Sequence, residues 1–458
     1  MHKLLILTVI LLTFFDVKAS TDTRESDNTW KAGVASVIIT PEKPMWMAGY
    51  GGRDHPAEGK VHDLWAKALA LEDAKGKQVV LITTDLLGFP KIVSDRIRDE
   101  LEAKFKLSRS QVILNSSHTH SGPVLEDALF SIYPLDAQQL ALVEQYSDKL
   151  TAQVVELVGN ALGALKPAKL YSENGVTRFQ VNRRNNTEAS LVDQTELNGP
   201  NDYAVPVIKV EDMDGGLMAV AFGYACHNTV LGIYDWSGDY AGFAQLELEK
   251  LYPGTTALFF QGAGADQNPL PRRTIPLARQ YGKELTAAVE RVLSEEMHSL
   301  PATLSTAYSE IKLPLSEPPT QAELEKKAKE ASGYEARWAK MMLEQLASGK
   351  SLERTYDYPL QVWQLGDQPI IAMGGEVVVQ YAIELKKLYG NKLFVMGYSN
   401  DVMAYIPSDV ILQEGGYEGE TSQMVYGRPS KWKEGIQDFI LDEVKRLASE
   451  LGLSKSKN

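Results

Sequence analysis

The sequence predicts an α/β fold with mixed β-sheets flanked by helices. Apolar runs such as residues 79–84 and 112–114 stop at a polar or glycine-rich loop, which is typical of short buried strands. Val93, Ile97 and Leu101 recur at intervals of four residues, as on the buried face of an amphipathic helix. Because such strands and helices alternate along the chain, the pattern indicates an α/β architecture.

In the first half of the chain, the pattern begins with a strand over residues 30–40, which ends at Pro41. A turn at residues 74–77 joins two apolar runs as in a β-hairpin. A glycine-rich loop, residues 45–53, either brings its backbone close to a ligand or makes a tight turn. The further elements predicted here are helices over residues 93–105, 136–165 and 243–251 and strands over residues 64–71, 79–84, 112–114, 217–225 and 255–260.

The second half continues the alternation of strands and helices. A stretch rich in Lys, Glu and Ala, residues 323–346, is typical of a solvated helix. No repeat or linker divides the chain, so we expect one domain over residues 20–458. The predicted elements are helices over residues 275–297, 323–346, 377–388 and 430–451 and strands over residues 359–365, 369–373 and 392–397.

The composition excludes some classes of function. Of the 458 residues, 44% are apolar, and the formal net charge is -13. Nucleic-acid binding is therefore not expected, because no excess of basic side chains is available to neutralise phosphates. The single cysteine, Cys226, excludes an internal disulfide, so the fold must depend on its core.

The first nineteen residues have the pattern of an export signal. Lys3 gives a positive start, residues 4–15 are apolar, and Ala19 ends a cleavage site of small residues. This apolar run is too short to span a bilayer, and no later stretch is long enough. We expect an exported protein, periplasmic or secreted, with a signal peptide over residues 1–19 and no transmembrane segment. The oligomeric state stays open.

Two histidines follow the apolar run at residues 112–114. His118 and His120 lie in the stretch SSHTHSGP, residues 116–123, and on an extended chain both imidazoles would project to the same side. A pair of this kind suits a metal site, in which one ring binds the ion and its neighbour holds or moves a proton. The alternative is two surface histidines on a polar loop.

Other polar residues also follow predicted strands. His227 comes directly after the strand at residues 217–225, and Glu376 begins the helix predicted at residue 377. A carboxylate there is either a helix cap or a metal ligand, and the helix dipole keeps it ionised. Arg183 and Arg184 are either surface charges or a grip for an oxyanion. The loop at residues 261–269 is rich in small residues and lacks the lysine of a phosphate-binding loop.

Taken in chain order, these segments resemble the catalytic N-terminal domain of the neutral/alkaline non-lysosomal ceramidases, a family of zinc amidohydrolases. The matching stretches are SSHTHSGP, YACHNTV with SGDYAG downstream, QGAGADQNP, GGE and SNDVMAYIP, at residues 116–123, 224–230, 237–242, 261–269, 374–376 and 399–407. They extend over nearly all of the sequence that follows the predicted signal peptide.

The resemblance implies a zinc ion held by His118, His227, Glu376 and Tyr405. It also implies that His120 is the second histidine of the active site and that Arg183 lies on the substrate side. Two features differ from the family pattern. Gly262 stands where the resemblance places a catalytic serine, although Asp266 and Pro269 are retained. We also find no counterpart of the family's immunoglobulin-like C-terminal domain.

Together these observations predict an exported zinc-dependent hydrolase, similar to the neutral ceramidases, that cleaves an amide (N-acyl) bond by attack of zinc-bound hydroxide. His120, Arg183 and Tyr405 are the expected catalytic side chains. The substrate would be a small molecule, a lipid or a glycan. The alternatives are an esterase or a glycan deacylase on the same zinc site, or a degenerate relative that binds a ligand without turnover.

Overall fold

The computed structural model describes residues 29–194 and 196–456. The predicted signal peptide lies outside these residues, so export stays a prediction. Strands are present in both halves of the chain: β1 (Trp30–Ile38), β2 (Gly59–Lys60), β3 (Trp65–Glu72), β4 (Gln78–Thr84), β5 (Val112–Ser116), β6 (Lys166–Val176), β7 (Gln180–Asn182), β8 (Ala204–Asp212), β9 (Leu217–Tyr224), β10 (Asp235–Trp236), β11 (Thr256–Gln261), β12 (Gln267–Pro269), β13 (His298–Leu300), β14 (Leu304–Pro314), β15 (Thr355–Leu365), β16 (Gln368–Met373), β17 (Glu376–Val377), β18 (Phe394–Met396) and β19 (Tyr405–Ile406).

The helices alternate with these strands: α1 (Lys91–Phe105), α2 (Ala137–Gly163), α3 (Asp239–Leu251), α4 (Ile275–Ser294), α5 (Gln321–Glu330), α6 (Gly333–Ala347), α7 (Val379–Tyr389), α8 (Asp409–Glu414), α9 (Ser422–Val425) and α10 (Ile436–Glu450). None of the helices within residues 29–194 and 196–456 is long and apolar enough to cross a membrane. Mixed sheets flanked by helices are thus present, and the predicted α/β class is confirmed.

The largest sheet has the strand order β11-β9-β8-β6-β1-β3-β4-β5, with β13 paired to β6. Strands β3 and β4 form the predicted antiparallel hairpin. The pairs β4–β5 and β9–β11 are parallel. The side chain of Asn115 connects the two ends of this sheet, β5 and β11, and also contacts the segment after β18: it accepts from the N–H of Gln261 at 2.7 Å and donates to the carbonyl of Gly397 at 2.9 Å.

A second sheet has the order β14-β15-β16-β18, and its last pair, β16–β18, is parallel. The chain leaves β16 and β18 into two short strands, β17 and β19, which also pair in parallel. In their register Glu376 stands opposite Tyr405. Two segments that are distant in sequence are therefore placed side by side at the end of this sheet.

Apolar faces explain how the helices cover the sheets. Val93, Ile97 and Leu101 of α1 are fully buried, and they pack in one core cluster with side chains of α2, β3 and β4. Helices α3 and α4 pack together against β8, β9 and β11 in another cluster. Burial of one such aliphatic side chain contributes about 1.5–3 kcal/mol, so these faces hold the strand ends in place.

Several boundaries differ from the sequence prediction. Residues 323–346 belong to two helices rather than one, because the chain is extended at Ala331 and Ser332 between α5 and α6. The last helix begins at Ile436, after Gly435 at φ 89°, and not at residue 430. Strands β6, β8 and β14 were not predicted. In β6, Lys, Glu, Asn and Gly residues interrupt the apolar pattern that marks other strands.

Candidate metal centre and active site

The loop after β5 brings His118 and His120 together, but not by the predicted geometry. The strand ends at Ser116, and His118 has a φ of 60°, so the chain is not extended between the two histidines. A turn at His118 brings the two rings together, and not the alternation of side chains along an extended strand. The ring centroids of His118 and His120 are 4.9 Å apart, and the same distance separates the rings of His118 and His227. A backbone bridge between Thr119 and Asn228 joins the two histidine loops.

Hydrogen bonds to backbone carbonyls fix the orientation of two imidazoles. The Nδ1 of His118 lies 2.6 Å from the carbonyl oxygen of Leu87, and the Nδ1 of His227 lies 2.9 Å from that of Gly264. A carbonyl oxygen can only accept, so Nδ1 carries the proton on each ring. The Nε2 atom of each neutral ring is then left with a free lone pair.

Glu376 and Tyr405 meet these Nε2 atoms. The Oε2 atom of Glu376 is 3.1 Å from Nε2 of His118 and 3.1 Å from Nε2 of His227. The hydroxyl of Tyr405 is 3.3 Å from Nε2 of His227. Glu376 does not begin a helix as predicted, because it lies in β17 and α7 starts at Val379. Its position therefore depends on the pairing with Tyr405 and not on a helix dipole.

The chemistry of this group fits a metal ion. Oε2 of Glu376 lies 3.1 Å from Nε2 of both His118 and His227, and all three side chains are buried. Acceptors that converge in a buried site repel one another unless a cation lies between them. Within the described part of the chain, the ligand atoms of His118, His120 and His227 also lie within 4.8 Å of one another. This buried cluster could hold a metal ion.

Charges at the site follow from burial and from these contacts. Burial raises the pKa of Glu376, but the contacts with His118 and His227 outweigh it and hold that pKa well below its usual range. Burial, together with the nearby Arg183, lowers the pKa of His227 to about 4. Glu376 is thus an anion and His227 a neutral ring at physiological pH, the states in which both bind metals.

His120 differs from the other two histidines in its hydrogen bonds. Its Nε2 is 3.2 Å from Nε2 of His118, whereas its buried Nδ1 has no hydrogen-bond partner within residues 29–194 and 196–456. Burial, followed by the proximity of His118 and His227, lowers the pKa of His120 well below its ordinary value. The ring is neutral, and one of its nitrogens is not held by the protein. It can therefore take up and release a proton.

The glycine-rich loop, residues 45–53, packs directly on His120. Gly49 has a φ of 101°, and a Cβ atom there would collide with the His120 ring, so only glycine fits. Arg53 donates from Nη2 to the carbonyl oxygen of His120 at 2.8 Å, and the Tyr50 ring lies 4.7 Å from the imidazole. Of the two roles that the sequence left open for this loop, a tight turn is found, since the Arg53 N–H donates to the carbonyl of Tyr50 at 3.3 Å, and a close approach to a ligand stays a prediction.

Arg183 lies beside Tyr405, and the substrate-side role that the resemblance implied for it stays a prediction. Its Nη2 donates to the Tyr405 hydroxyl at 3.1 Å, and its Nε donates to Glu418 at 2.7 Å. Burial lowers the pKa of Arg183, but Tyr405 and Glu418 raise it well above its ordinary value, so the side chain stays charged. A cation that donates to a phenol oxygen favours negative charge on that oxygen.

Three residues without a predicted role also line the site. The hydroxyl of Tyr426 donates to Oε1 of Glu376, and the Tyr417 ring lies 5.3 Å from the ring of Tyr405. The amide oxygen of Asn268 accepts from Nη1 of Arg183 at 3.4 Å. No sequence signal pointed to Tyr426. Tyr417 follows two glycines and Asn268 lies in the small-residue loop. A search of these glycine-rich segments for polar side chains could therefore have found both residues.

Gly262 lies in a different environment from the one expected of a catalytic serine. A Cβ at this position would have three atoms of Ala225 as its nearest neighbours, at 3.1–3.2 Å. Its N–H donates to the carbonyl of Tyr224 at 3.0 Å. A Cβ at position 262 would therefore point towards the segment that directly follows β9.

Comparisons with known proteins place this chain in a family and identify its relatives. The family described as neutral/alkaline non-lysosomal ceramidase, N-terminal, matches residues 30–266. Neutral ceramidase A of Dictyostelium discoideum is 25% identical over 269 residues, which are 56% of this chain and 37% of the relative. Neutral ceramidase 1 of Arabidopsis thaliana is 24% identical over 268 residues, or 56% of this chain and 34% of the relative. The match thus spans about a third of the length of these relatives.

A solved structure extends the likeness in fold beyond the family match. The neutral ceramidase from Pseudomonas aeruginosa superimposes with a TM-score of 0.69 over 94% of this chain and 76% of that one, at 18% identity. At this identity the similarity concerns the fold alone. The family match covers more than half of the chain and includes His118, His120, Arg183 and His227. The chain belongs to the neutral/alkaline non-lysosomal ceramidase family.

Proposed function

We propose that the protein is a zinc-dependent hydrolase that cleaves an N-acyl (amide) bond. One observation carries the proposal: Oε2 of Glu376 lies 3.1 Å from Nε2 of both His118 and His227, and the Tyr405 hydroxyl lies 3.3 Å from Nε2 of His227. The relatives named as neutral ceramidases support the amide as the bond cleaved. A similar site could also act on esters or acylated sugars, and the experiment below separates these substrates.

His118, His227, Glu376 and Tyr405 would hold the zinc ion. Imidazole nitrogens and carboxylate oxygens are ligands that zinc prefers, and bound zinc polarises a carbonyl group and lowers the pKa of a water ligand to about 7. The protein keeps these ligands ready: the backbone carbonyls of Leu87 and Gly264 fix the tautomers of the two rings, and Tyr426 orients Glu376.

His120 would move the proton during the reaction. It lies beside His118, and its Nδ1 is the nitrogen of the cluster that the protein leaves without a hydrogen bond. A neutral imidazole can accept a proton from an attacking water molecule and then deliver it to the leaving amine. Gly49, Tyr50 and Arg53 hold the ring in this position.

Arg183 would stabilise the negative charge that develops on the carbonyl oxygen. Its guanidinium already donates to Tyr405, and its Nη1 has only the long contact of 3.4 Å with Asn268. A preorganised cation in a buried site is worth more than the same cation in water, because no solvent has to reorganise. Glu418 keeps the guanidinium in place.

Water would attack the amide directly, without an acyl-enzyme. Gly262 has no side chain, and Ser237, another serine in the matching motifs, is engaged with Nε2 of His62 at 3.1 Å. An acyl-enzyme at this site requires a nucleophile next to His120, and among the described residues neither Gly262 nor the Ser237 side chain forms a hydrogen bond with that ring. A covalent adduct trapped by rapid quench and located by peptide mapping would contradict this step.

The experiment is a substrate panel for the zinc-loaded protein: a short-chain ceramide, N-lauroylethanolamine, the matched ester and an acetylated amino sugar. Release of amine from either N-acyl lipid, lost on treatment with a chelator and restored by zinc, supports the proposal. Cleavage of the ester or of the sugar amide alone would indicate a different bond or substrate. Tight binding without any turnover would indicate a ligand-binding relative and would refute the enzyme.

A further inference from the structure

Beside the proposed centre lies an open cleft of about 530 Å³, which we call the arginine cleft. It shares Arg183 and Asn268 with the site just described, so a molecule held there also contacts the proposed catalytic residues. Its charged lining is Arg183, Arg184, Glu188, Arg272 and Glu418.

Two of the three arginines of the cleft are paired. Arg183 and Arg184 both donate to Glu418, at 2.7 Å and 2.8 Å, and Arg184 also donates to Glu414 at 2.8 Å. Their charges are thus largely balanced within the protein. They form one side of the cleft, and the charge that Arg183 keeps available is the one assigned above to the carbonyl oxygen, so neither arginine is free for a second anion.

Arg272 is the exception. Its side chain is partly buried and makes no hydrogen bond or ion pair within residues 29–194 and 196–456. Burial, together with the neighbouring Arg273, lowers its pKa. Glu188 lines the same cleft and attracts the Arg272 charge, which acts to raise the pKa, but the two side chains form no hydrogen bond or ion pair. In a chain with a net charge of -13, a partly buried guanidinium without a carboxylate partner requires an explanation.

The loop that carries Arg272 is tied to the histidine site. Its neighbour Arg273 has a φ of 88°, a conformation that favours glycine and that costs about 1–3 kcal/mol in other residues. The Arg273 N–H donates to the carbonyl of Val230, three residues beyond His227, at 2.6 Å. The Arg273 side chain donates to the Tyr50 hydroxyl at 2.7 Å rather than to a carboxylate. A strained loop thus places a second guanidinium without a carboxylate partner next to the first.

We infer that the arginine cleft binds an anionic group of the substrate, a carboxylate or a phosphate, and that Arg272 is its main contact. Guanidinium groups bind both anions through paired, charge-assisted hydrogen bonds. The preferred substrate is then an acidic N-acyl compound and not a neutral one. This inference rests on the proposed function, because it adds a charged group to the amide already assigned to the site.

Three amides with the same acyl chain test the inference: N-lauroylethanolamine is neutral, N-lauroylglycine carries a carboxylate and N-lauroyl-O-phosphoethanolamine carries a phosphate. We expect the zinc-loaded protein to favour at least one acidic amide over the neutral one by about 10- to 100-fold in kcat/KM, the size of one charge-assisted hydrogen-bonded pair. Which acidic amide is favoured tells carboxylate from phosphate. Equal kcat/KM values for all three amides would overturn the inference and leave the amidase intact.

Variants at position 272 test whether Arg272 causes the preference for an acidic amide. Arg272→Gln should remove most of this preference, mainly through KM, and Arg272→Lys should retain part of it. The Arg272 side chain has no hydrogen-bond or ion-pair partner among the described residues, so we expect its loss to cost little stability. Arg291→Gln, which removes an exposed arginine of α4 paired with Glu295, is the matched control and should keep the full preference. If Arg272→Gln keeps the preference, or Arg291→Gln loses it equally, the inference is wrong.

Calorimetry with N-lauroylglycine and N-lauroyl-O-phosphoethanolamine separates this inference from the proposed function. If no amide is cleaved but an acidic amide binds and Arg272→Gln weakens its binding about 10-fold or more, the anion site stands and the amidase fails. If neither acidic amide binds more tightly than N-lauroylethanolamine, the anion site fails whatever the turnover.

Discussion

The two parts of the chain contribute to the site in different ways. Residues 30–266, which match the family, supply three imidazoles within 4.8 Å of one another. The part that follows supplies a carboxylate and a phenol, and Oε2 of Glu376 is 3.1 Å from Nε2 of both His118 and His227. The first part alone has enough ligands for a metal. The question is whether the second part also holds it.

Each part orients its own ligands. The rings of His118 and His227 are fixed by the carbonyls of Leu87 and Gly264, both within residues 30–266. Glu376 is fixed by its pairing with Tyr405 and by the hydroxyl of Tyr426, all in the later part. The segment that matches the family therefore does not contain every residue of the proposed site, because a metal ion would be held by side chains from both parts of the chain.

The largest effect is expected from the histidines of the first part. His118→Ala and His227→Ala should each remove bound zinc and all measurable amidase activity. The loss should exceed the roughly 10- to 100-fold that follows removal of an outer hydrogen-bond partner of a metal ligand, because a ligand itself is removed. The measurement is zinc per chain by elemental analysis after dialysis, together with turnover of an N-acyl lipid.

His298→Ala is the control for that pair, since the exposed His298 ring forms hydrogen bonds only with Asp367 among the described residues. It should keep full zinc and activity. Retention of stoichiometric zinc in both His118→Ala and His227→Ala would show that the metal assignment is wrong.

His120→Gln should separate the metal from catalysis. We expect this variant to keep its zinc and to lose about 10²- to 10⁴-fold in kcat, the usual range for a missing proton carrier. Measurement of kcat and zinc content on the same preparation checks both halves of the expectation. A variant that keeps its zinc and turns over at the wild-type rate would exclude the proton-transfer role.

Tyr426→Phe tests how the second part orients its carboxylate. Loss of the hydrogen bond to Oε1 of Glu376 should weaken zinc binding by about 10- to 100-fold without unfolding the protein. Competition with a chromogenic chelator measures the affinity. Tyr417→Phe is the matched control, because the Tyr417 ring packs against Tyr405. Equal affinities of the two variants would mean that Tyr426 does not support the metal.

Gly262→Ser should change activity least. A Cβ there meets Ala225 at 3.1–3.2 Å, so the serine hydroxyl would not join the histidines, and tight packing should cost some stability, in the range of 1–3 kcal/mol known for overpacked cores. Thermal unfolding and ceramide turnover are the measurements. A large gain of ceramidase activity would show instead that the serine alone separates this chain from serine-dependent chemistry.

Periodicity and alternation sufficed for much of the fold. The spacing of Val93, Ile97 and Leu101 identified α1, and the apolar runs on either side of residues 74–77 identified the hairpin β3–β4. β6 could not be found in this way, because its polar residues hide the pattern and its partner β8 lies some forty residues further along the chain. Its presence depends on tertiary pairing and not on local preference.

The site shows the same limit. Residues His118, His120 and His227 stand out in sequence because they follow strands, and the resemblance added Glu376, Arg183 and Tyr405. The left-handed turn at His118 and the contact of Tyr426 with Glu376 left no local signal. The Arg272 guanidinium, which has no carboxylate partner among the described residues, also left no local signal in the sequence. Whether a partner is present depends on segments that are far apart in the chain.

The most direct test of the account compares zinc retention in two variants that introduce the same residue, Glu376→Gln and His120→Gln, after dialysis against the same chelator. The account predicts that His120→Gln keeps about one zinc per chain, the stoichiometry of a single site, whereas Glu376→Gln loses it. The opposite result, with zinc lost from His120→Gln and kept by Glu376→Gln, would place the metal on three histidines of the first part alone. That outcome would contradict a site built across both parts of the chain.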